Sequence, residues 1–281
     1  VRSSPRSSGA FIDISNQNDF YILFRNGCRL CQACWQRRPS QDQDEEHNMA
    51  LGGSKPQWLT FDCYGTLIQW DEGLMAAVEK ILAGKSRKVD PATFIRTYDH
   101  HEHALEQVKP HLSFRQVCER ALPLAMKELG LESAPEDADI LTASIGRMPP
   151  FPEVVETLGR LKAAGFKLCI ISNTDDAIIA GNVAQMGGHI DRVITAQQAE
   201  AYKPSEQIFR HAWKALGIEP SALVHICASP HLDLAAAREL QFRCLWVDRG
   251  TGRKAPPDYV PDATVSLLSG VIAEFKRAGW L

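Results

Sequence analysis

The chain has 281 residues, of which 44% are hydrophobic and 23% charged, the composition of a folded globular protein rather than a disordered one. Its 31 lysines and arginines against 34 acidic residues leave a net charge of −3, too even to call for nucleic acid or another polyanion as partner. Apolar runs such as Leu168–Ile171 are far shorter than the roughly 20 residues that span a bilayer, so no membrane partner is expected.

Residues 1–54 differ from all that follows. They are rich in Ser, Arg, Asn and Gln, pass through the acidic run Gln41–Glu46, and offer only Phe20–Phe24 for packing. Such a segment is expected to be disordered, or to be an over-extended translation start, since Met49 opens a natural beginning before the first strong strand. Cys28, Cys31 and Cys34 have a metal-ligand spacing, but the nearest histidine is His47 and no scaffold is visible, so no metal is expected there. Cys63, Cys169, Cys227 and Cys244 lie in or beside apolar runs, where free cysteine acts as a small hydrophobe. With no signal sequence recognised, this cysteine usage predicts a reducing, cytoplasmic location.

From Trp58 onward, strands and helices alternate. Trp58–Phe61, Phe166–Ile171, Asp191–Thr195, Leu223–Cys227 and Arg243–Val247 read as strands; Glu153–Ala164 and Ser205–Leu216 read as helices, each closed by a glycine. That alternation predicts parallel βαβ units in a Rossmann-like, doubly wound α/β sheet. One connection is too long for a crossover: about 80 residues with helical periodicity follow the first strand, over Gly73–Gly84, Pro91–Val108, Ser113–Leu129 and Glu136–Ile145. The predicted organisation is a core of residues 55–70 and 150–281 with a helical cap of residues 71–149 over the carboxyl edge of the sheet.

Reactive groups in open α/β sheets gather at the carboxyl ends of the strands. Asp62 and Thr66 follow the first strand, Ser172 and Asn173 the second, Lys203–Pro204 the third, and Ser229 with Asp233 the fourth. Each alone reads equally as an Asx-turn, a helix cap or a plain loop. In order and together, Phe61-Asp62-Cys63-Tyr64-Gly65-Thr66-Leu67, Ser172-Asn173, Lys203-Pro204 and Asp233 resemble the four motifs of the haloacid dehalogenase superfamily over about residues 56–281. Phosphatases of that superfamily place a second Asp where this chain has Tyr64, and an Mg²⁺-binding acid where it has Ala228. Loss of both disfavours phosphoryl transfer and suits expulsion of a halide, which needs neither a proton nor metal. Asp62-Cys-Tyr-Gly-Thr66 is further similar to the form found in type II L-2-haloacid dehalogenases.

By that resemblance, Asp62 attacks C2 of an L-2-haloalkanoic acid, and water hydrolyses the resulting ester to a D-2-hydroxy acid. Lys203 keeps Asp62 ionised and oriented, Thr66 and Ser172 hydrogen-bond carboxylates of the nucleophile or the substrate, and Asp233 anchors Lys203 or positions the water. Tyr64 and Ser229 line the substrate site. Asn173, with Arg96 of the second cap helix, stabilises the departing halide. No cofactor is implied; Mg²⁺ belongs to the alternative of a phosphohydrolase, and a non-catalytic protein of the same fold is the third reading. Members of the family often dimerise, which makes a homodimer the expected assembly if there is one. Three positions depart from the dehalogenase pattern: Ala228 and Pro230 where Ser and Asn are usual, and Phe209 where Tyr is usual. His231 lies where it can stand in for that Asn or simply cap a turn. His100 and His103 read as a solvated or cap-interface cluster, and Trp213, Trp246 and Trp280 as core or interface.

Overall fold

The computed structural model describes residues 51–281; the readings above for residues 1–50, including the cysteine cluster and the start at Met49, lie outside the described residues. Six parallel strands, β1 (Trp58–Phe61), β2 (Lys167–Ser172), β3 (Arg192–Thr195), β4 (Leu223–Cys227), β5 (Cys244–Val247) and β6 (Ala263–Val265), form one sheet in the order β3-β2-β1-β4-β5-β6. Strands β1, β2 and β4 are buried almost throughout, which is why they read as continuous apolar runs rather than alternating ones. The strand β6, with only three residues after a proline-rich loop, gave no sequence signal. The strand order reverses between β1 and β4, which opens a crevice at their carboxyl ends.

Four helices follow β1 directly: α1 (Trp70–Ala83), α2 (Pro91–Glu106), α3 (Phe114–Glu128) and α4 (Asp137–Ile145). The sheet-associated helices are α5 (Val154–Ala163), α6 (Asp176–Val183), α7 (Ala196–Ala199), α8 (Glu206–Leu216), α9 (Ala235–Leu240) and α10 (Val271–Arg277). Helix α1 starts at Trp70 rather than at the expected Gly73. That glycine lies inside the first turn, where a Cβ would come within 2.5 Å of Met148 Cγ. Asp90 caps α2, accepting from Thr93 N at 2.9 Å with Pro91 at the first helical position, and Ser113 with Gln116 forms a capping box on α3. Among the four, α2 packs on α3 and α1 on α4.

Two of the contacts between these helices and the core show how closely they are joined. Asp175, just beyond β2, accepts backbone hydrogens from Phe114 (2.8 Å) and Arg115 (2.9 Å), so a carboxylate of the core satisfies the amino end of α3. Gly181 in α6 meets the end of α4 so closely that a Cβ there would lie 2.3 Å from the Gly146 carbonyl oxygen. Since backbone and not a flexible side chain is the obstacle, Gly181→Ala is expected to cost about 1–3 kcal/mol. The midpoint of urea unfolding measures it, and an unchanged midpoint would show that α4 moves aside freely.

Candidate active site

The turn after β1 builds the centre of the site. Leu67 N and Ile68 N both bond the Cys63 carbonyl, and Gly65 sits at φ +79°, a conformation that favours glycine. This curls Thr66 back onto Asp62, and the Thr66 hydroxyl donates to Asp62 Oδ2 at 2.6 Å while accepting from Ala228 N at 2.8 Å. Arg249 secures the turn from outside, donating to the Thr66 carbonyl at 2.5 Å and to Glu153 Oε1 at 2.6 Å.

Lys203 is wholly buried, and its Nζ donates to Asp62 Oδ1 at 2.7 Å and to Asp233 Oδ1 at 2.8 Å. Asn173 positions the lysine backbone: its Oδ1 accepts from Lys203 N (2.6 Å) and its Nδ2 donates to the Lys203 carbonyl (3.2 Å), leaving one amide hydrogen for other work. Behind Asp233 lies His225, directly opposite Thr60 in the β1–β4 register. An ionised Asp233 can only accept, so His225 Nε2 donates to Asp233 Oδ1 (2.9 Å); in the neutral ring, Nδ1 then accepts from the Thr60 hydroxyl (2.8 Å). Sequence reasoning passed over His225, although a histidine inside an apolar strand needs polar partners and is a signal in itself. Phe209, at one of the departing positions, packs edge-on against that ring.

Burial, the largest influence on Asp62, raises its pKa; the Asp233 carboxylate adds to the rise, and the bonds from Lys203 and Thr66 offset it only in part. Burial also opposes ionisation of Asp233, but Lys203 and His225 outweigh it and hold this carboxyl below its ordinary value. For Lys203, burial acts downward and the two carboxylates overcome it, so the ammonium is retained above the ordinary lysine value. His225, Cys227 and Asp233 come within 4.8 Å of one another, but both ring nitrogens and Asp233 Oδ1 are engaged, which makes the group an unpromising metal cage.

Asp62 faces a cavity of about 160 Å³, smaller than the roughly 300–1,000 Å³ of drug-sized pockets and suited to a small ligand. Tyr64, Ser172, Asn173 and Ser229 all line it, as do His103 and His231. Ser172 is fully buried with its Oγ unpartnered, and the Tyr64 hydroxyl donates to Asn182 Oδ1 at 3.0 Å. From the helices above come Trp70, Asp71 and Leu74 of α1 and Ile95, Asp99, Glu102 and Glu106 of α2. Burial pushes the Glu102 carboxyl up to about 7, and burial with the Glu102 charge pushes Asp99 up to about 8.

Arg96 corrects the expectation that it reaches this cavity. It is exposed, and its Nη2 donates to Thr93 Oγ1 at 2.9 Å. Phe94, Ile95 and Tyr98 are the buried positions around it, and helical phase turns residue 96 away from them. Among the described residues, the cavity wall instead holds Arg253, which no sequence periodicity marked.

A family model described as haloacid dehalogenase-like hydrolase matches residues 57–241. The chain is 27% identical over 222 residues to an (S)-2-haloacid dehalogenase of Pseudomonas sp. strain YL, covering 78% of this chain and 94% of that protein. It is 28% identical over 160 residues to a phosphoserine phosphatase of Thermus thermophilus, covering 54% and 63%. Its fold is similar to that of the L-2-haloacid dehalogenase from Xanthobacter autotrophicus with chloropropionic acid covalently bound, at a TM-score of 0.66 and 19% identity over 79% of this chain and 98% of that one.

The buried lysine generates a stability prediction. Lys203→Met leaves two buried carboxylates without a cation and is expected to cost about 3–5 kcal/mol near neutral pH. In the parent, the lowered pKa of Asp233 contributes stability above its ordinary value of 3.8 that is lost as pH falls through the still lower folded value. In the variant, protonation relieves the strain, so the gap between the two proteins narrows as pH falls through the carboxylate range. Urea titrations over a pH series measure it, and a gap independent of pH would contradict the assignment.

Proposed function

The chain belongs to the haloacid dehalogenase-like hydrolase family, and from that premise we propose that it is a hydrolytic dehalogenase of short L-2-haloalkanoic acids. The observation that carries this reading is the treatment of Asp62: one oxygen is held by Lys203 and the other by Thr66, at the wall of a small cavity. A carboxylate fixed in this way is a nucleophile pre-oriented for attack, and its raised pKa makes it more basic than a surface aspartate.

In the proposed reaction, an Asp62 oxygen forms a bond to C2 as the carbon–halogen bond breaks, and the halide leaves with the bonding pair. The remaining Asn173 amide hydrogen and the unpartnered Ser172 hydroxyl are the donors suited to the halide and the substrate carboxylate. Water then attacks the Asp62 carboxyl carbon. One proton of that water passes to the departing ester oxygen and the other is released, as the bond between the Asp62 carboxyl carbon and that oxygen breaks. This restores the Asp62 carboxylate and frees the D-2-hydroxy acid with the former Asp62 oxygen, while Asp233 keeps Lys203 in place. The helices α1–α4 act as the cap that excludes bulk water.

The residues do not fit the Mg²⁺ used by the family's phosphatases. A divalent ion between Asp62 and Asp233 would compete with an ammonium already 2.7 and 2.8 Å from their oxygens, and Ala228 offers no ligand. Tyr64 stands where those enzymes carry their acid, and burial drives its phenol well above its ordinary pKa, so it is a poor proton donor to a leaving alcohol.

The enzyme is expected to release halide from L-2-chloropropionate and not from the D-isomer, at a rate indifferent to EDTA. Asp62→Ala should lower kcat by at least about a thousandfold. Ion-selective halide measurement checks both; Mg²⁺-dependent phosphate release without any halide release would overturn the reading.

A further inference from the structure

The described cavity is acidic to an unexpected degree for an enzyme acting on an acid. Besides Asp62, four carboxyls line it, one from α1 and three from α2, and with Arg96 pointing away that helix contributes His103 but no lysine or arginine. The one permanently cationic side chain lining the described cavity is Arg253. It comes from the core, on the loop that leaves the carboxyl end of β5, immediately after Gly250 and Gly252 at φ +68° and +81°. Such backbone turns favour glycine and set the arginine at the crevice rather than along the next strand.

The guanidinium lies close to the turn that carries the reacting group. A Cβ built on Gly65, in the turn carrying Asp62 and Thr66, would stand 3.7 Å from Arg253 Nη1. Its Nη2 donates to Asp71 Oδ1 at 3.0 Å, and its side chain is about a quarter exposed. A guanidinium has five donors, so a bond to one Asp71 oxygen leaves capacity for a second carboxylate. The carboxylate already held there shows the kind of group this corner of the cavity can receive. Ser172 Oγ, buried and unpartnered on the same cavity wall, is a further donor without a protein acceptor.

We infer that Arg253 is the anion receptor of this site: it binds the carboxylate of a small mono-anionic substrate, in competition with Asp71, in place of a cation from α2. The inference rests on the dehalogenase reading for the identity of the reaction, but not for the binding of the anion. Asp99, Glu102 and Glu106 leave no second anionic subsite, so the class of ligand is a short acid with one carboxylate.

Kinetics with L-2-chloropropionate and its neutral amide separate a receptor from a structural tie. Arg253→Gln is expected to lower the ratio of kcat/KM for acid over amide by about 10- to 100-fold, chiefly through KM, as loss of a charge-assisted bond does. Asp71→Asn, which removes the competing carboxylate, should lower KM for the acid. Equal losses on acid and amide in Arg253→Gln, or KM moving the same way in both variants, would overturn the inference. Calorimetric binding of propionate to the full chain adds a readout without turnover, and Arg253→Gln should weaken it by the same 10- to 100-fold. If no compound yields halide while propionate binding is lost in Arg253→Gln, the dehalogenase reading falls and the receptor stands. Propionate binding that is absent from the parent, or unchanged in the variant, overturns the receptor whatever the kinetics show.

Discussion

The site depends on one buried cation. Taking an ammonium out of water costs several kcal/mol, and only close, well-directed carboxylates offset that. Lys203 has two, at 2.7 and 2.8 Å, on residues that follow different strands. Satisfying this lysine therefore fixes the ends of β1 and β4 relative to the loop after β3, and Asn173 beyond β2 closes the arrangement by gripping the lysine backbone on both sides. The triad of one ammonium and two carboxylates carries one net negative charge, and it is Asp62 that meets the cavity while Asp233 is sealed behind. The Thr60–His225 pair extends this network into the sheet, so that Asp233 is held from two directions.

Under the proposed reaction, this ion pair would suffice where a phosphatase of the family would need a metal. A nucleophilic carboxylate attacking a phosphoryl group meets negative charge at the reacting centre and needs a divalent cation to offset it. A carbon bearing a halogen presents no such charge there, so for the proposed reaction a single ammonium outside the cavity lining would be enough to orient the carboxylate. The acidic face of α2 is a separate matter. Burial pushes Glu102 toward neutral pH, and burial with the Glu102 charge does the same to Asp99, so the permanent charge opposite them is Arg253.

Much of this could be read from the sequence, for identifiable reasons. Trp58–Phe61 and Leu223–Cys227 are strands with the boundaries expected, because fully buried parallel strands are continuous apolar runs bounded by polar turns. The four helices after β1 followed from their periodicity. Asp62 and Lys203, 141 residues apart, could be paired only through the order of strand-end motifs, since nothing local in either segment refers to the other. Context alone points to Arg96, and helical phase argues against it: Ile95, Asp99, Glu102 and Glu106 recur at helical spacing and form the face turned to the cavity. Arg253 and Asp175 act through loop geometry that has no period to read. The only local trace of Arg253 was the pair of glycines just past a strand end.

The central claim is that Asp62, and not water, makes the new bond to carbon. A single turnover with enzyme in excess over L-2-chloropropionate, run in heavy-oxygen water and followed by mass spectrometry of the Asp62 peptide and the product, tests it directly. Attack by Asp62 with hydrolysis at its carboxyl carbon places the heavy oxygen in the Asp62 side chain and leaves the hydroxy acid with an ordinary oxygen from the enzyme. Heavy oxygen in the hydroxyl of the product, with an unlabelled Asp62 peptide, would contradict the account.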